Sequence, residues 1–413
     1  MRVALLRALG VSFLLWPAGV VFGQSAVPHP ITEAQALELL AANDPRLRAA
    51  RAGIEELRAT QAGRALRANP TFTFSRESVA EMHDDFFLGR QELDLSGRIG
   101  RLRAAGLLAV EAAEAAARHE VVQLQAAARD AFTVLVLAQE RESAIAQGLK
   151  ELEKLLDVLR TREQEGEGSR YDRMRGQRAL ADIDADLAIA SASRAEARGR
   201  LAALLGTPAA DALSAAGHLE PVTTPADIAT LVERAASIRK DLKALTLAAS
   251  QFRTERAAAG RLSIPTPTLG GGLKRSSVDQ QLRSGYVLSL DLSVPLFNRG
   301  QTASALATAQ MTRAEAQGAV LRQQIEGEVI VAHAVADIRR RNAERYRAST
   351  RDAGEDLLAV ARLGYEEGEL GILELLDAVR QSLEGRVRAL EMTAAARRAA
   401  IELDRVVGLE IKP

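Results

Sequence analysis

The sequence predicts a mainly α-helical chain with a small β part, built as two copies of one helix–strand–strand–helix unit. Three observations predict it. Four short segments recur in the same order at a spacing of roughly 200 residues, the mark of an internal repeat. Asn69-Pro70-Thr71-Phe72 answers to Ile264-Pro265-Thr266-Pro267, Leu93-Asp94-Leu95-Ser96-Gly97-Arg98 to Val294-Pro295-Leu296-Phe297-Asn298-Arg299, Glu165-Gly166-Glu167 to Glu367-Gly368-Glu369, and Leu205-Gly206 to Val407-Gly408. Each copy also holds one very long stretch free of proline, and before it short segments whose apolar residues alternate with polar ones.

The chain starts with Arg2 and Arg7, and no charge follows from Ala8 to Gln24. Val21 and Gly23 are small enough to precede a cleavage site, so residues 1–23 are expected to be a secretory signal peptide. An uncleaved anchor helix is the alternative; Pro17 and the short apolar core speak against it. No later apolar run is expected to span a bilayer as a helix.

The first repeat is placed at residues 24–206. It opens on a helix from Thr32 to Arg67, with a break or kink at Asn43-Asp44-Pro45, because proline removes a donor and clashes with the preceding turn. Strands follow at about residues 70–79 and 87–95: Phe72 and Phe74 alternate with Thr71, Thr73 and Ser75. A long helix runs from Arg98 to Glu163, and about 60 helical residues would extend roughly 90 Å. A glycine turn at Glu165 to Ser169 reverses the chain, and a return helix reaches Gly206. Residues 207–224, rich in Pro, Ala and Gly, form a linker.

The second repeat, residues 225–413, reads the same way. Its first helix runs from Pro225 to Gly260, and its strands fall at about residues 265–275 and 284–295. Tyr286, Leu288, Leu290, Leu292 and Val294 alternate with Val287, Ser289, Asp291 and Ser293, which gives a strand one apolar and one mostly polar face. The long helix spans Thr302 to Gly364, a turn follows at Glu367 to Gly371, and the return helix ends at Gly408. Leu149, Leu152, Leu156 and Leu159 in the first copy recur at helical spacing, as do Leu370, Leu373, Leu376 and Val379 in the second.

Composition narrows the function. Of 413 residues, 26% are charged with no net charge, so no overall field favours nucleic acid as a partner. Aromatic residues are 3%, low for an enzyme core, and the absence of cysteine removes disulfides, thiolate metal sites, cysteine nucleophiles and a lipid anchor on cysteine. Four short strands cannot close a membrane barrel, and an open sheet leaves its edge groups unpaired in lipid. Three chains would supply twelve strands, within the range of closed outer-membrane barrels. The paired helices would then project to one side and enclose a hollow cylinder.

On these residues the chain resembles the TolC-like outer-membrane efflux proteins over about Ile31 to Gly408. The likeness rests on the duplicated plan, the proline before each first strand, the run Val294-Pro295-Leu296-Phe297-Asn298-Arg299-Gly300, and Tyr365-Glu366-Glu367-Gly368 before Leu375-Leu376-Asp377-Ala378. The first copy departs from pattern with Glu163 in place of the turn aromatic and Asp94 in place of proline. The resemblance implies a homotrimer with a twelve-stranded β-barrel in outer-membrane lipid and a long periplasmic α-helical barrel. It also implies a periplasmic adaptor protein as partner, an inner-membrane pump of the RND type, and a passive exit duct that needs no cofactor and carries no catalytic residue. Gly166, Gly168, Ser169, Gly368 and Gly371 would be the adaptor-docking tips. Asp172, Glu374 and Asp377, with Tyr365, would line the constriction, three-fold symmetry turning each carboxylate into a ring. The alternative is that these acids lie on an exposed helix face and do nothing special. A basic residue that resembling proteins carry near the gate corresponds to Leu370. Gln91-Glu92-Leu93-Asp94-Leu95-Ser96-Gly97-Arg98 looks like the heavy-metal (cobalt–zinc–cadmium) branch, which favours divalent cations over drugs as cargo.

Other chemistry finds little support. His29, His83, His119, His218 and His333 show no ligand spacing. His83-Asp84-Asp85 could touch a divalent metal in a loop between the first two strands, but a solvated loop is preferred. Gly270-Gly271-Gly272 lacks the Lys-Ser/Thr of a phosphate loop and reads as close strand packing. Arg339-Arg340-Arg341 reads as a solvated helix face. A pore-less periplasmic coiled-coil scaffold, an outer-membrane component of type I protein secretion, and an envelope hydrolase remain as competing functions; the last lacks a convergent nucleophile and base.

Overall fold

The computed structural model describes residues 30–79, 82–207, 213–278, 281–350 and 353–410. The expected signal peptide at residues 1–23 and His29 lie outside the described residues. Nine α-helices and four strands follow in the order α1 (Glu33–Asn43), α2 (Pro45–Arg64), β1 (Thr71–Val79), β2 (Met82–Glu92), α3 (Arg98–Glu165), α4 (Arg170–Leu205), α5 (Ile228–Ile238), α6 (Lys240–Gly260), β3 (Thr266–Val278), β4 (Gln281–Ser293), α7 (Gln301–Thr350), α8 (Ala353–Glu366) and α9 (Ile372–Val407), counted among the described residues.

The break at Asp44-Pro45 has a local cause. Thr32 and Gln35 form a capping box that starts α1, and Asp44 both ends it and caps α2, accepting from the Arg46 amide at 2.7 Å. Proline at the first position of α2 has no amide to satisfy there. The second copy was read as one continuous helix, and here the structure differs: α5 ends at Ile238 and α6 begins at Lys240. Arg239, between them, is only 6% exposed. Its guanidinium turns inward to Asp241 (2.6 Å), Glu328 (2.6 Å) and the Val406 carbonyl (3.2 Å), contacts a straight helix would forgo.

The long helix α3 has 68 residues and ends on a left-handed glycine, Gly166. One window of α3 is long and apolar enough to cross a membrane, contrary to the reading that no later run is; 56% of it is buried within the chain, so packing accounts for its hydropathy. Left-handed glycines stand at matching places in the two copies: Gly97 and Gly300 before α3 and α7, Gly166 and Gly368 at the hairpin turns, Gly206 and Gly408 after the return helices. A residue with a Cβ is strained there. In the second copy helix continues past Gly364 to Glu366.

Two cores of like composition lie where the shorter helices meet the long ones. Leu37 and Leu40 of α1 pack with Leu135 of α3 and Leu201 and Leu205 of α4. Leu231 of α5 packs with Ile325 and Val329 of α7 and Leu403 and Val407 of α9. The described part of the linker is not loose. Leu213 and Ala215 are buried in the first core, Ile31 bridges to Ala215, and the Gln139 side chain holds both the amide and the carbonyl of Ala215.

The strands form one antiparallel sheet in the order β1-β2-β3-β4, leaving β1 and β4 as edges. β1 ends at Val79 and β3 at Val278, both at the end of the sheet away from the helices. β2 starts at Met82, earlier than the expected residue 87, because His83-Asp84-Asp85 is not loop. Asp85 pairs with Arg76 at 2.6 Å, Asp84 with Lys274 at 2.7 Å, and His83 Nδ1 lies 2.8 Å from Ser78 Oγ. Each of the three residues offered for a metal thus has a cross-strand partner, with Asp84 Oδ1 left without one among the described residues. Among the described residues no cluster of three or more His, Asp or Glu could hold one. The triple glycine lies within β3, as its packing reading expected: a Cβ on Gly272 would stand 1.9 Å from the Phe87 carbonyl oxygen.

Candidate functional site

The chain reverses twice at the end of the helices remote from the sheet. In the first turn the amides of Glu167 and Gly168 both donate to the Arg162 carbonyl at 2.9 Å, and Ser169 caps α4 by accepting from the Tyr171 amide at 3.1 Å. Gly168 has no room for a side chain, since a Cβ would lie 2.8 Å from the Glu163 nitrogen. In the second turn the amides of Glu369 and Leu370 donate to the Gly364 carbonyl at 2.8 and 3.0 Å. Gly371 precedes α9 in extended backbone. All five tip residues named from the sequence therefore lie in these two turns.

The constriction residues do not all come together. Tyr365 of α8 is 8% exposed and packs with Leu156 and Leu159 of α3 and Ile372 and Leu375 of α9. Its phenol is held above its ordinary pKa, first by burial and then by the Asp172 carboxylate, with Arg162 opposing. Tyr365 and Asp172 thus meet, one from each hairpin. Glu374 and Asp377 are exposed on α9. Asp377 accepts from Gln381 at 2.7 Å and lines a groove of about 580 Å³ between α4 and α9, where Arg178, Asp182, Asp186 and Arg380 also sit. Glu374 makes no contact with Tyr365 or Asp172 among the described contacts; its carboxylate lies beside Gly371.

Arg162 is the residue that sequence reasoning missed. Its guanidinium lies 5.4 Å from the Tyr365 ring centre, and its Nη2 donates to the Glu366 carbonyl at 3.3 Å. The expected basic position, Leu370, instead packs its side chain over Gly364, within 2.9 Å of where a Cβ would stand. The cation at the tip therefore comes from α3 and not from the start of α9. Matching the two turns residue by residue sets Arg162 against Gly364 and Glu163 against Tyr365. That comparison was the available signal. Glu163 pairs with Arg173 across the first turn, so the first copy fastens its turn with an ion pair where the second uses an aromatic.

Arg162 is the last rung of a polar seam between α3 and the second hairpin. Arg405 donates to Gln123 at 2.6 Å, Arg398 pairs with Asp130, Arg141 with Glu391 at 3.7 Å, and Arg386 with Glu151 at 3.4 Å. At the upper end Arg129 bridges Glu33 and Asp404 at 2.7 and 2.9 Å. Arg341 is exposed and pairs with Asp337 on its own helix, whereas the Arg340 side chain is only 13% exposed and pairs with Asp337 and Glu344, which departs from the solvated-face reading.

Comparisons with known proteins agree with this architecture. Residues 231–409 match the family model of outer membrane efflux proteins. The chain is 26% identical over 398 residues to the cobalt-zinc-cadmium resistance protein CzcC of Cupriavidus metallidurans, covering 92% of this chain and 90% of that one. It is 25% identical to the nickel-cobalt-cadmium resistance protein NccC of Alcaligenes xylosoxydans, covering 75% and 70%. Its fold superposes on the open-state MtrE outer membrane channel of Neisseria gonorrhoeae with a TM-score of 0.72 at 21% identity, over 91% of this chain and 88% of that one. The likeness to TolC-like outer-membrane efflux proteins, the mainly helical fold with its small sheet, and the outer membrane as the site of action are borne out.

Proposed function

We propose that this chain is the outer-membrane channel subunit of a tripartite efflux system, a passive duct for divalent heavy-metal cations. The observation that carries the proposal is the sheet. Four strands with two open edges present Tyr286, Leu288, Leu290 and Leu292 on one exposed face, at 81%, 79%, 67% and 56% exposure. Such a sheet is costly in water on that face and costly in lipid at its edges. Joining β4 of one chain to β1 of the next removes both costs, and three chains close twelve strands. The helical hairpins then continue the wall below the membrane, and their glycine turns face a periplasmic adaptor supplied by an inner-membrane pump.

The cargo reading draws on the two heavy-metal resistance relatives and on Gln91 to Arg98. The gate reading draws on Tyr365, Asp172 and Arg162, which tie the two hairpins of one chain together. Glu374 and Asp377 would add exposed carboxylates that three-fold symmetry makes into rings. The test is conductance in planar bilayers. Replacing Asp172, Glu374 and Asp377 by alanine is expected to raise single-channel conductance or weaken cation preference. Unchanged conductance and selectivity in a correctly assembled trimer would remove the ring assignment.

A further inference from the structure

The sheet register sorts strand residues onto two faces, and the apolar face stops abruptly. Phe74, Phe87, Leu273 and Tyr286 lie opposite one another across the four strands, the two phenylalanine rings 4.9 Å apart. From Leu292 up to this row the apolar side of β4 covers about 20 Å along the strand, and Val294 just past its end extends this to about 26 Å, or roughly 20 Å once tilted, close to the belt of an outer-membrane barrel. The next row on the same face, about 7 Å further from the helices, is Arg76, Asp85, Arg275 and Ser284.

This row carries excess positive charge. Arg76 grips Asp85 through Nε at 2.6 Å and Nη2 at 2.8 Å, which leaves its Nη1 for another acceptor. Arg275 is exposed and has no hydrogen bond or ion pair among the described residues, though the Asp85 carboxylate acts on it at longer range. Two guanidiniums therefore face one carboxylate, directly above an aromatic row, where a membrane-embedded wall meets the headgroups.

We infer that Arg275, with the free edge of Arg76, binds the phosphate of an anionic lipid headgroup in the leaflet facing away from the helices. The inference rests on the proposed membrane barrel. A guanidinium offers a planar pair of donors that match phosphate oxygens, and the apolar belt beneath fixes the depth at which those oxygens arrive. Asp85 limits the site by occupying Arg76.

The test uses the purified full-length trimer in neutral detergent, titrated with lipid A, a diphosphorylated glycolipid, and read by native mass spectrometry. Arg275→Gln is expected to weaken lipid A binding about fivefold, the effect of one cation near an anionic surface. Asp85→Asn is expected to strengthen it by releasing Arg76, a gain that a purely structural pair would not give. Phosphatidylcholine binding should not respond to either change, and inorganic phosphate at matched concentration should not displace lipid A. Equal lipid A binding by wild type and Arg275→Gln, weaker binding by Asp85→Asn, or displacement by inorganic phosphate would overturn the inference. If Arg275→Gln fails to assemble, Asp85→Asn still decides in the opposite direction. A wild-type chain that forms no membrane-inserted trimer would remove the barrel reading itself, whereas an intact conducting trimer with unchanged lipid binding removes only this site.

Discussion

Replacing Arg162 by alanine removes two contacts that join the hairpins at their tips. The guanidinium sits 5.4 Å from the Tyr365 ring centre and donates to the Glu366 carbonyl at 3.3 Å. A half-buried cation–π contact is worth about 1 kcal/mol, and a hydrogen bond from a charged donor contributes a similar amount. A motion that parts the hairpins must break both. Their loss should therefore favour the parted state by about 2 kcal/mol per chain, roughly thirtyfold in its equilibrium. Burial of Tyr365 among Leu156, Leu159 and Leu375 is untouched by the substitution, so the tip should still fold. The assay is the open fraction of single channels in planar bilayers, compared for wild type, Arg162→Ala and Arg162→Lys. Lysine keeps the charge over the ring, so Arg162→Lys should lie between the other two. An Arg162→Ala trimer with a wild-type open fraction, or a lysine variant indistinguishable from alanine, would refute the role of this cation.

Two further outcomes concern the sheet and the junction of the helices. Gly272→Val would force a Cβ to within 1.9 Å of the Phe87 carbonyl oxygen, so β2 and β3 must part and the oligomer that the proposed barrel requires should not form on gels. Gly285→Ala, with nothing within 4 Å, should leave it intact. His119 titrates below its ordinary value of 6.5, chiefly through burial, with Arg239 and Arg405 adding and Asp241 and Glu328 opposing. Because the folded value lies below the unfolded one, its contribution to stability is full above pH 6.5 and is lost as pH falls through the folded value. The melting temperature should therefore drop on acidification below that point, and His119→Gln should flatten the slope; an unchanged slope would show that other groups set it.

Much of the fold was legible because its signals are local. The long helices show as stretches without proline and with apolar residues at helical spacing, and the kink at Asp44 shows as a proline with a capping residue before it. The break at Arg239 was not legible, since no local residue demands it. It exists because a buried guanidinium reaches Glu328 and Val406, far along the chain, as well as Asp241 two residues on. His83-Asp84-Asp85 looked like loop because charged residues weaken a strand pattern, yet Arg76 and Lys274 on the neighbouring strands neutralise two of them. At the tips, Tyr365 and Asp172 were placed by resemblance, and the structure brings them together. Arg162 lay hidden because its partner is on the other hairpin, more than two hundred residues along the chain. Leu370 could not serve as the cation, and Gly364 opens the space that its side chain fills.

The particle extracted from outer membranes offers the most direct measurement. Its mass, determined in detergent together with its conductance in a planar bilayer, is expected to be that of three chains around one water-filled path. A conductance-free particle with the mass of one chain would contradict the closure of β4 on β1 of a neighbour, and with it the duct.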